Sequence, residues 1–232
     1  MNQHPVTERL FIDGPVGRLE AVIERPGEGA LQGCAVVCHP HPQHGGTMHN
    51  KVVHTLVRAF VRSGYEALRF NFRGTEQSDG EYDEGNAELD DALAAIEWMR
   101  ARHASYPLWL AGFSFGAAIA VKAAVATHVD GLISVAPAIS RFATGMESQP
   151  DCPWLIVQGD EDELVDVEET VEWFDSLEPG PELLIVPQGE HFFHGRLTEL
   201  RDAAMGFIAQ KKKAGQCPAF HCLSVVPIKP CL

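Results

Sequence analysis

Leu108-Trp109-Leu110-Ala111-Gly112-Phe113-Ser114-Phe115-Gly116-Ala117-Ala118 is the stretch whose reading decides the fold. Its first half is apolar without interruption, as suits a strand buried on both faces. Gly112 and Gly116 then bracket a serine, and residues 115–127 are mostly small and apolar, as suits a helix pressed against a sheet. A sharp strand–turn–helix junction needs small residues where backbone and helix crowd together, and it leaves the serine standing at the strand's end.

Outward from this junction the pattern repeats. Residues 33–38, 66–72, 131–137, 154–159 and 183–187 read as strands. Val52, Val53, Leu56, Val57, Phe60 and Val61 recur at helical spacing. Further helices are predicted over 87–103, with Leu89, Leu93, Ile96 and Trp98 or Met99 facing inward, and over 165–176 and 194–211. Strands alternating with helices imply βαβ crossovers and a mostly parallel, doubly wound sheet. Residues 9–13 and 19–24, around Gly14-Pro15-Val16-Gly17, predict an antiparallel hairpin at one edge. In an open sheet of this kind the ligand site lies beyond the carboxyl ends of the strands. Residues 1–213 form the main domain, and residues 214–232, rich in cysteine and proline, are expected to be a poorly structured extension.

Composition narrows the partners. With 18 Lys+Arg against 32 Asp+Glu, the net charge of −14 opposes binding to nucleic acid or to an anionic membrane. The six cysteines do not read as a disulfide framework, and no leader or membrane-spanning run is evident, so the cytoplasm is the expected address. The acidic residues fall in two blocks, from Glu76 to Asp91 and from Asp160 to Glu178. Solvated loops and helix faces are the simpler reading. Alternatively the blocks give a cleft a negative potential that turns away anionic substrates.

The chemistry is read at strand ends. Ser114 in Gly112-Phe113-Ser114-Phe115-Gly116 fits a nucleophile elbow, the plainer alternative being a helix N-cap. A serine nucleophile needs a base, and the base an orienting acid. The strand 154–159 runs into Asp160-Glu161-Asp162-Glu163, and 183–187 into Gln188-Gly189-Glu190-His191. Serine, acid and base thus occur in the chain order this elbow goes with. Asp162 is favoured over Asp160, which suits a turn former, and His191 over His194, which lies near the last helix. Oxyanion donors are expected from the Phe115 N–H and from the loop His39-Pro40-His41-Pro42-Gln43-His44-Gly45-Gly46. Pro40 and Pro42 have no N–H, which leaves His41 between them. His39, His41 and His44, or Cys217, His221, Cys222 and Cys231, are conceivable metal ligands, but neither set carries zinc-site spacing or a carboxylate. No metal or organic cofactor is needed by this chemistry.

These motifs resemble those of the α/β-hydrolase superfamily, and more narrowly the small lidless bacterial serine hydrolases near the dienelactone-hydrolase-like esterases. The likeness runs from about residue 8 to about residue 210. It rests on His39-Pro40-His41-Pro42, Gly45-Gly46-Thr47-Met48, Asn71-Phe72-Arg73-Gly74, the elbow, Gln158-Gly159-Asp160-Glu161-Asp162 and His191-Phe192-Phe193-His194-Gly195. The resemblance implies an α/β-hydrolase fold and places nucleophile, acid and base on Ser114, Asp162 and His191. The family usually has a further glycine after Arg73-Gly74, where this chain has Thr75-Glu76-Gln77-Ser78. Dienelactone hydrolases use a cysteine nucleophile, so the serine points to an ordinary ester hydrolase.

Residues 138–153 are too few for a helical lid, so a small or short-acyl ester is the expected substrate. Phe113, Phe115, Phe142, Met146, Phe192 and Phe193 are candidates for an apolar lining or for plain core. The same triad acting on a peptide, thioester or lactone, or a non-catalytic binder on this fold, are the alternatives.

Overall fold

Two apolar runs, 33–38 and 108–113, make the centre of the sheet because neither contains a residue that water must reach. The computed structural model describes residues 4–142, 148–178 and 180–215. Its strands are β1 (Val6–Gly14), β2 (Gly17–Arg25), β3 (Gly33–Cys38), β4 (Tyr65–Phe70), β5 (Leu108–Phe113), β6 (Gly131–Val135), β7 (Trp154–Gly159) and β8 (Glu182–Val186). They form one eight-stranded sheet in the order β1-β2-β4-β3-β5-β6-β7-β8. β3 through β8 are parallel, while β2 runs antiparallel to β4 and β1 antiparallel to β2. Alternation along β3 and β5 sends Cys34, Val36, Leu108 and Leu110 to one face and Ala35, Val37, Trp109 and Ala111 to the other.

Helices cover both faces. They are α1 (Lys51–Arg62), α2 (Ala87–Arg102), α3 (Phe115–Ala126), α4 (Ile139–Phe142), α5 (Val167–Asp175) and α6 (Leu197–Gly215). α1 and α6 bring Leu56, Phe60, Leu200 and Phe207 to one face, and α2 and α3 bring Ile96, Met99 and Ile119 to the other. α1 begins where Asn50 accepts the Val52 N–H at 2.8 Å. The chain passes from β3 through α1 to β4 on one side, then through α2 to β5 on the other side of β3. The order therefore reverses between β3 and β5, and this topological switch point is where a sheet of this kind places a ligand site, beyond the carboxyl ends of the strands.

The hairpin, the parallel sheet and the alternating helices are those expected from the sequence. Differences lie at ends. β6 stops at Val135 because Ala136 turns to φ 44°. The last helix begins at Leu197, since Phe193 at φ 54° and an ion pair of His194 with Glu190 at 3.0 Å belong to the loop before it. The 138–153 segment carries the single turn α4 where a plain loop was expected. Residues 216–232, with Cys217, His221, Cys222 and Cys231, lie outside the described residues, as does Met146.

The larger correction concerns charge. Leu89, Leu93 and Trp98 are only partly buried on α2, whose inner face is Glu88, Asp91, Ala92, Ala95, Ile96 and Met99. Two members of the first acidic block are thus not solvated at all. Asp91 accepts hydrogen bonds from the Arg73 N–H (3.0 Å), Nε (2.9 Å) and Nη2 (2.7 Å), with its side chain fully buried. Glu88 accepts from the N–H groups of Asp83 and Gly85 at 2.8 and 2.7 Å. Both carboxylates fasten the polar loop between β4 and α2, and the loop supplies the donors that make their burial tolerable.

Removing one member of a buried, fully bonded pair strands the other. Asp91→Ala is expected to lower unfolding stability by about 3–5 kcal/mol. Asp90→Ala, one residue away but exposed, should change it by less than about 0.5 kcal/mol. Urea unfolding of the two variants side by side checks this.

Candidate active site

The junction between β5 and α3 is sterically tight. A Cβ on Gly112 would strike the Gly116 carbonyl, and a Cβ on Gly116 would strike the backbone of Cys38 and His39. Ser114, between them, has φ 54° and ψ −116°, outside the regions an L-residue favours. Such strain costs about 1–3 kcal/mol and persists only where surroundings enforce it. Here the Ser114 N–H is held by the Val135 carbonyl at 2.9 Å, and its carbonyl accepts the Ala117 and Ala118 N–H groups at 3.0 and 3.2 Å. Ser114 occupies the N-cap position of α3, yet its side chain makes no cap hydrogen bond. The plain capping role read as an alternative from the sequence is therefore not the one it plays.

Asp162 and His191 come from the loops that follow β7 and β8. A Cβ on Gly159 would collide with the Gly189 carbonyl, so the two loops touch main chain to main chain. Asp160 accepts the Gln188 N–H at 2.6 Å and braces this turn, in which Gln188 has φ 57°. Asp162 turns inward. Its Oδ1 accepts the N–H groups of Leu164 and Val165 at 2.9 and 2.8 Å, its Oδ2 accepts Gln158 Nε2 at 3.0 Å, and His191 Nδ1 lies 3.0 and 2.9 Å from the two oxygens. Burial alone would raise the Asp162 pKa, but the His191 hydrogen bond and charge and the Val165 and Leu164 N–H groups outweigh it and hold the carboxyl below its ordinary value. An ionised carboxylate at Nδ1 sets the tautomer of His191 as Nδ1–H and leaves Nε2 as an acceptor. The His191 ring is 2% exposed. It packs against Phe113 at 4.9 Å and Phe192 at 5.1 Å, and its N–H donates to Glu163 at 3.2 Å.

Asp162 and His191 are thus in direct contact, and Ser114 stands at the same edge of the sheet, next to Phe113, the ring on which His191 rests. Among the described residues, the His191 side chain is hydrogen-bonded to Asp162 and not to Ser114. His194 is exposed and paired with Glu190.

Opposite the elbow lies the loop after β3. His39 is fully buried; its Nε2 accepts the Phe72 N–H at 3.0 Å, so Nδ1 carries the proton and donates to the Pro40 carbonyl at 2.6 Å. With both nitrogens engaged, His39 has no lone pair for a metal. A Cβ on Gly46 would strike the Pro40 carbonyl, so the loop is folded tightly on itself. Among the described residues, neither the His41 N–H nor the Phe115 N–H is donated within the chain. Phe113, Phe115 and Phe193 are fully buried and serve as core, whereas Phe192 is exposed and Phe142 partly so.

Three residues that matter here were not singled out from the sequence. Gln158 is buried and holds Asp162; a lone amide in an otherwise apolar strand was the available signal. Glu163 and Tyr82 act through contacts far apart in the chain, which no local pattern announces.

A family model described as serine aminopeptidase, S33, matches residues 40–147. An α/β serine hydrolase homologue from Coxiella burnetii is 44% identical, with a TM-score of 0.81 over 86% of this chain and 96% of that one. An α/β serine hydrolase without a lid from Xanthomonas campestris is 39% identical, with a TM-score of 0.84 over 95% of this chain and 100% of that one. An uncharacterized protein from Rickettsia prowazekii is 29% identical over 210 residues, 86% of this chain and 88% of its own.

Burial lowers the His39 pKa from 6.5 to about 4, against the opposing effect of its bond to Pro40. A histidine held neutral in the fold contributes stability that is complete above its unfolded pKa of about 6.5 and is lost as pH falls toward about 4. The loss should be on the order of 3 kcal/mol across that window. Urea midpoints measured from pH 7 to pH 4 should fall for the wild type and fall less steeply for His39→Gln.

Proposed function

The chain belongs to the α/β serine hydrolases, and from that premise we propose that it cleaves small or short-acyl carboxylic esters through Ser114, His191 and Asp162. The observation that carries this reading is the Asp162–His191 hydrogen bond of 2.9 Å, set at the same sheet edge as a strained serine that caps nothing. Ser114 Oγ bonds to the ester carbonyl carbon while its proton passes to His191 Nε2 and the carbonyl oxygen becomes an oxyanion. The N–H groups of Phe115 and His41 receive that charge. Collapse breaks the carbon–oxygen bond to the alcohol, which takes the proton from His191. Water then repeats the sequence on the acyl-enzyme and frees the acid. Asp162 stays ionised throughout, orients the ring and stabilises the imidazolium.

The shortness of the 138–153 segment, too few residues for a helical lid, supports an open site and hence a short acyl group. The cytoplasm is the proposed compartment, on the sequence's six cysteines, which do not read as a disulfide framework. The small-molecule ester is the proposed partner, with no nucleic acid or membrane involved. A peptide amide is the second reading, favoured by the aminopeptidase description of the matching family model.

A fluorophosphonate probe should label the wild type and leave Ser114→Ala unlabelled; an unlabelled wild type would overturn the catalytic reading. Asp162→Asn should lower kcat by about 10³–10⁴-fold, while Asp160→Asn keeps most of it; the reverse order would move the acid to Asp160. Across a p-nitrophenyl ester series kcat/KM should peak at short acyl chains. Faster cleavage of aminoacyl p-nitroanilides than of any ester would replace the esterase reading with the peptidase one.

A further inference from the structure

The loop between β4 and α2 reaches the loop after β3 and the start of α3, where Tyr82 meets His41 and Phe115. Its last turn is clamped from below. Glu88, fully buried, accepts the N–H groups of Asp83 and Gly85, and Lys122 Nζ donates to the Gly85 carbonyl at 2.7 Å. Gly85 has φ 86°, and a Cβ there would press on Phe115, Ile119 and Phe142. Tyr82 leaves this fixed turn with its hydroxyl 3.0 Å from His41 Nε2. Its ring lies 5.0 Å from the His41 ring and 6.0 Å from that of Phe115.

The direction of the Tyr82–His41 bond follows from its neighbour. The Gln43 N–H donates to His41 Nδ1 at 3.2 Å, so that nitrogen is unprotonated. Burial and the charges of His44 and Arg141 hold His41 below the usual histidine range, which keeps the ring neutral. Nε2 therefore carries the proton and donates it to the Tyr82 oxygen. Burial, with Glu88 and Glu84 nearby, pushes the Tyr82 phenol up to about 12, so the acceptor is a neutral hydroxyl at any working pH.

Tyr82 thus touches the two residues whose backbone N–H groups are the oxyanion donors, by a hydrogen bond to one and by its ring to the other. We propose that Tyr82 is a positioning residue for the oxyanion hole, holding His41 against Phe115 so that both N–H groups meet the developing charge. The inference rests on the serine hydrolase mechanism above. It also accounts for why Glu88 and Lys122 are spent on a loop that carries none of the triad. The aim of a donor matters most in the transition state, where charge on the oxygen is greatest, so the hydroxyl should act on kcat and leave ground-state binding alone.

The test uses the whole chain as wild type, Tyr82→Phe, His41→Phe and the double variant. A p-nitrophenyl ester gives kcat and KM, and a trifluoromethyl ketone, which adds to the serine as a tetrahedral oxyanion, gives Ki. Tyr82→Phe keeps the ring and removes only the hydroxyl. It should lower kcat about tenfold, raise Ki by a similar factor and leave KM within about twofold. The double variant should fall no further than the single variants. Ki does not depend on the fraction of active protein, so partial unfolding of a variant cannot mimic the result. Unchanged kcat and Ki in Tyr82→Phe, a change confined to KM, or additive losses in the double variant would each overturn the role of Tyr82 while the triad stands. A wild type that the fluorophosphonate probe does not label would instead be a failure of the mechanism beneath it.

Discussion

The site depends on one steric fact, the closeness of the α3 N-terminus to the end of β3. Gly116 lies against the backbone of Cys38 and His39 with no room for a side chain. That approach makes the turn at Ser114 sharp, and the sharpness forces the positive φ that lifts its hydroxyl away from the cap position. It also brings the Phe115 N–H level with the loop that begins at His39. The strained serine and the free Phe115 N–H beside it are therefore consequences of a single contact, and the parallel pairing of β3 with β5 brings its two sides together.

Around this contact the protein uses buried polar groups as fasteners for loops. His39 ties the loop after β3 to Phe72 at the end of β4, Asp91 ties down Arg73, and Glu88 ties down residues 83–85. Each would be costly alone in an apolar setting, and each is acceptable because its donors and acceptors are matched. The consequence is a set of loops beyond the strand ends that are anchored from beneath like elements of the core.

How much of this was legible depended on range. The βαβ order, the hairpin and the central strands could be read because apolar periodicity is local, and residues 33–38 and 108–113 were located to the residue. Ser114, Asp162 and His191 could be proposed together because strand ends are where such a fold gathers chemistry, and the structure brings Asp162 and His191 into contact at the sheet edge that carries Ser114. The inner face of α2 was misjudged, since Glu88 and Asp91 look like surface residues until their partners in the 73–85 loop are known. Glu76 offers a similar lesson: it takes φ 49°, a conformation a glycine would adopt freely, in the loop where the resemblance implies a further glycine. Net charge proved the least transferable guide, because acidic residues counted together serve as buried clamps, turn braces and surface pairs.

The meeting of Gly159 with Gly189 bears on how such a protein diversifies. Asp162 and His191 sit on loops whose main chains abut, so the spacing of the pair is set by backbone thickness. Neither loop can gain a residue or a side chain at that point without prying Asp162 from His191. A substitution that adds bulk at Gly159 or Gly189 therefore reaches both residues at once, so Asp162 and His191 vary, or stay fixed, as a unit.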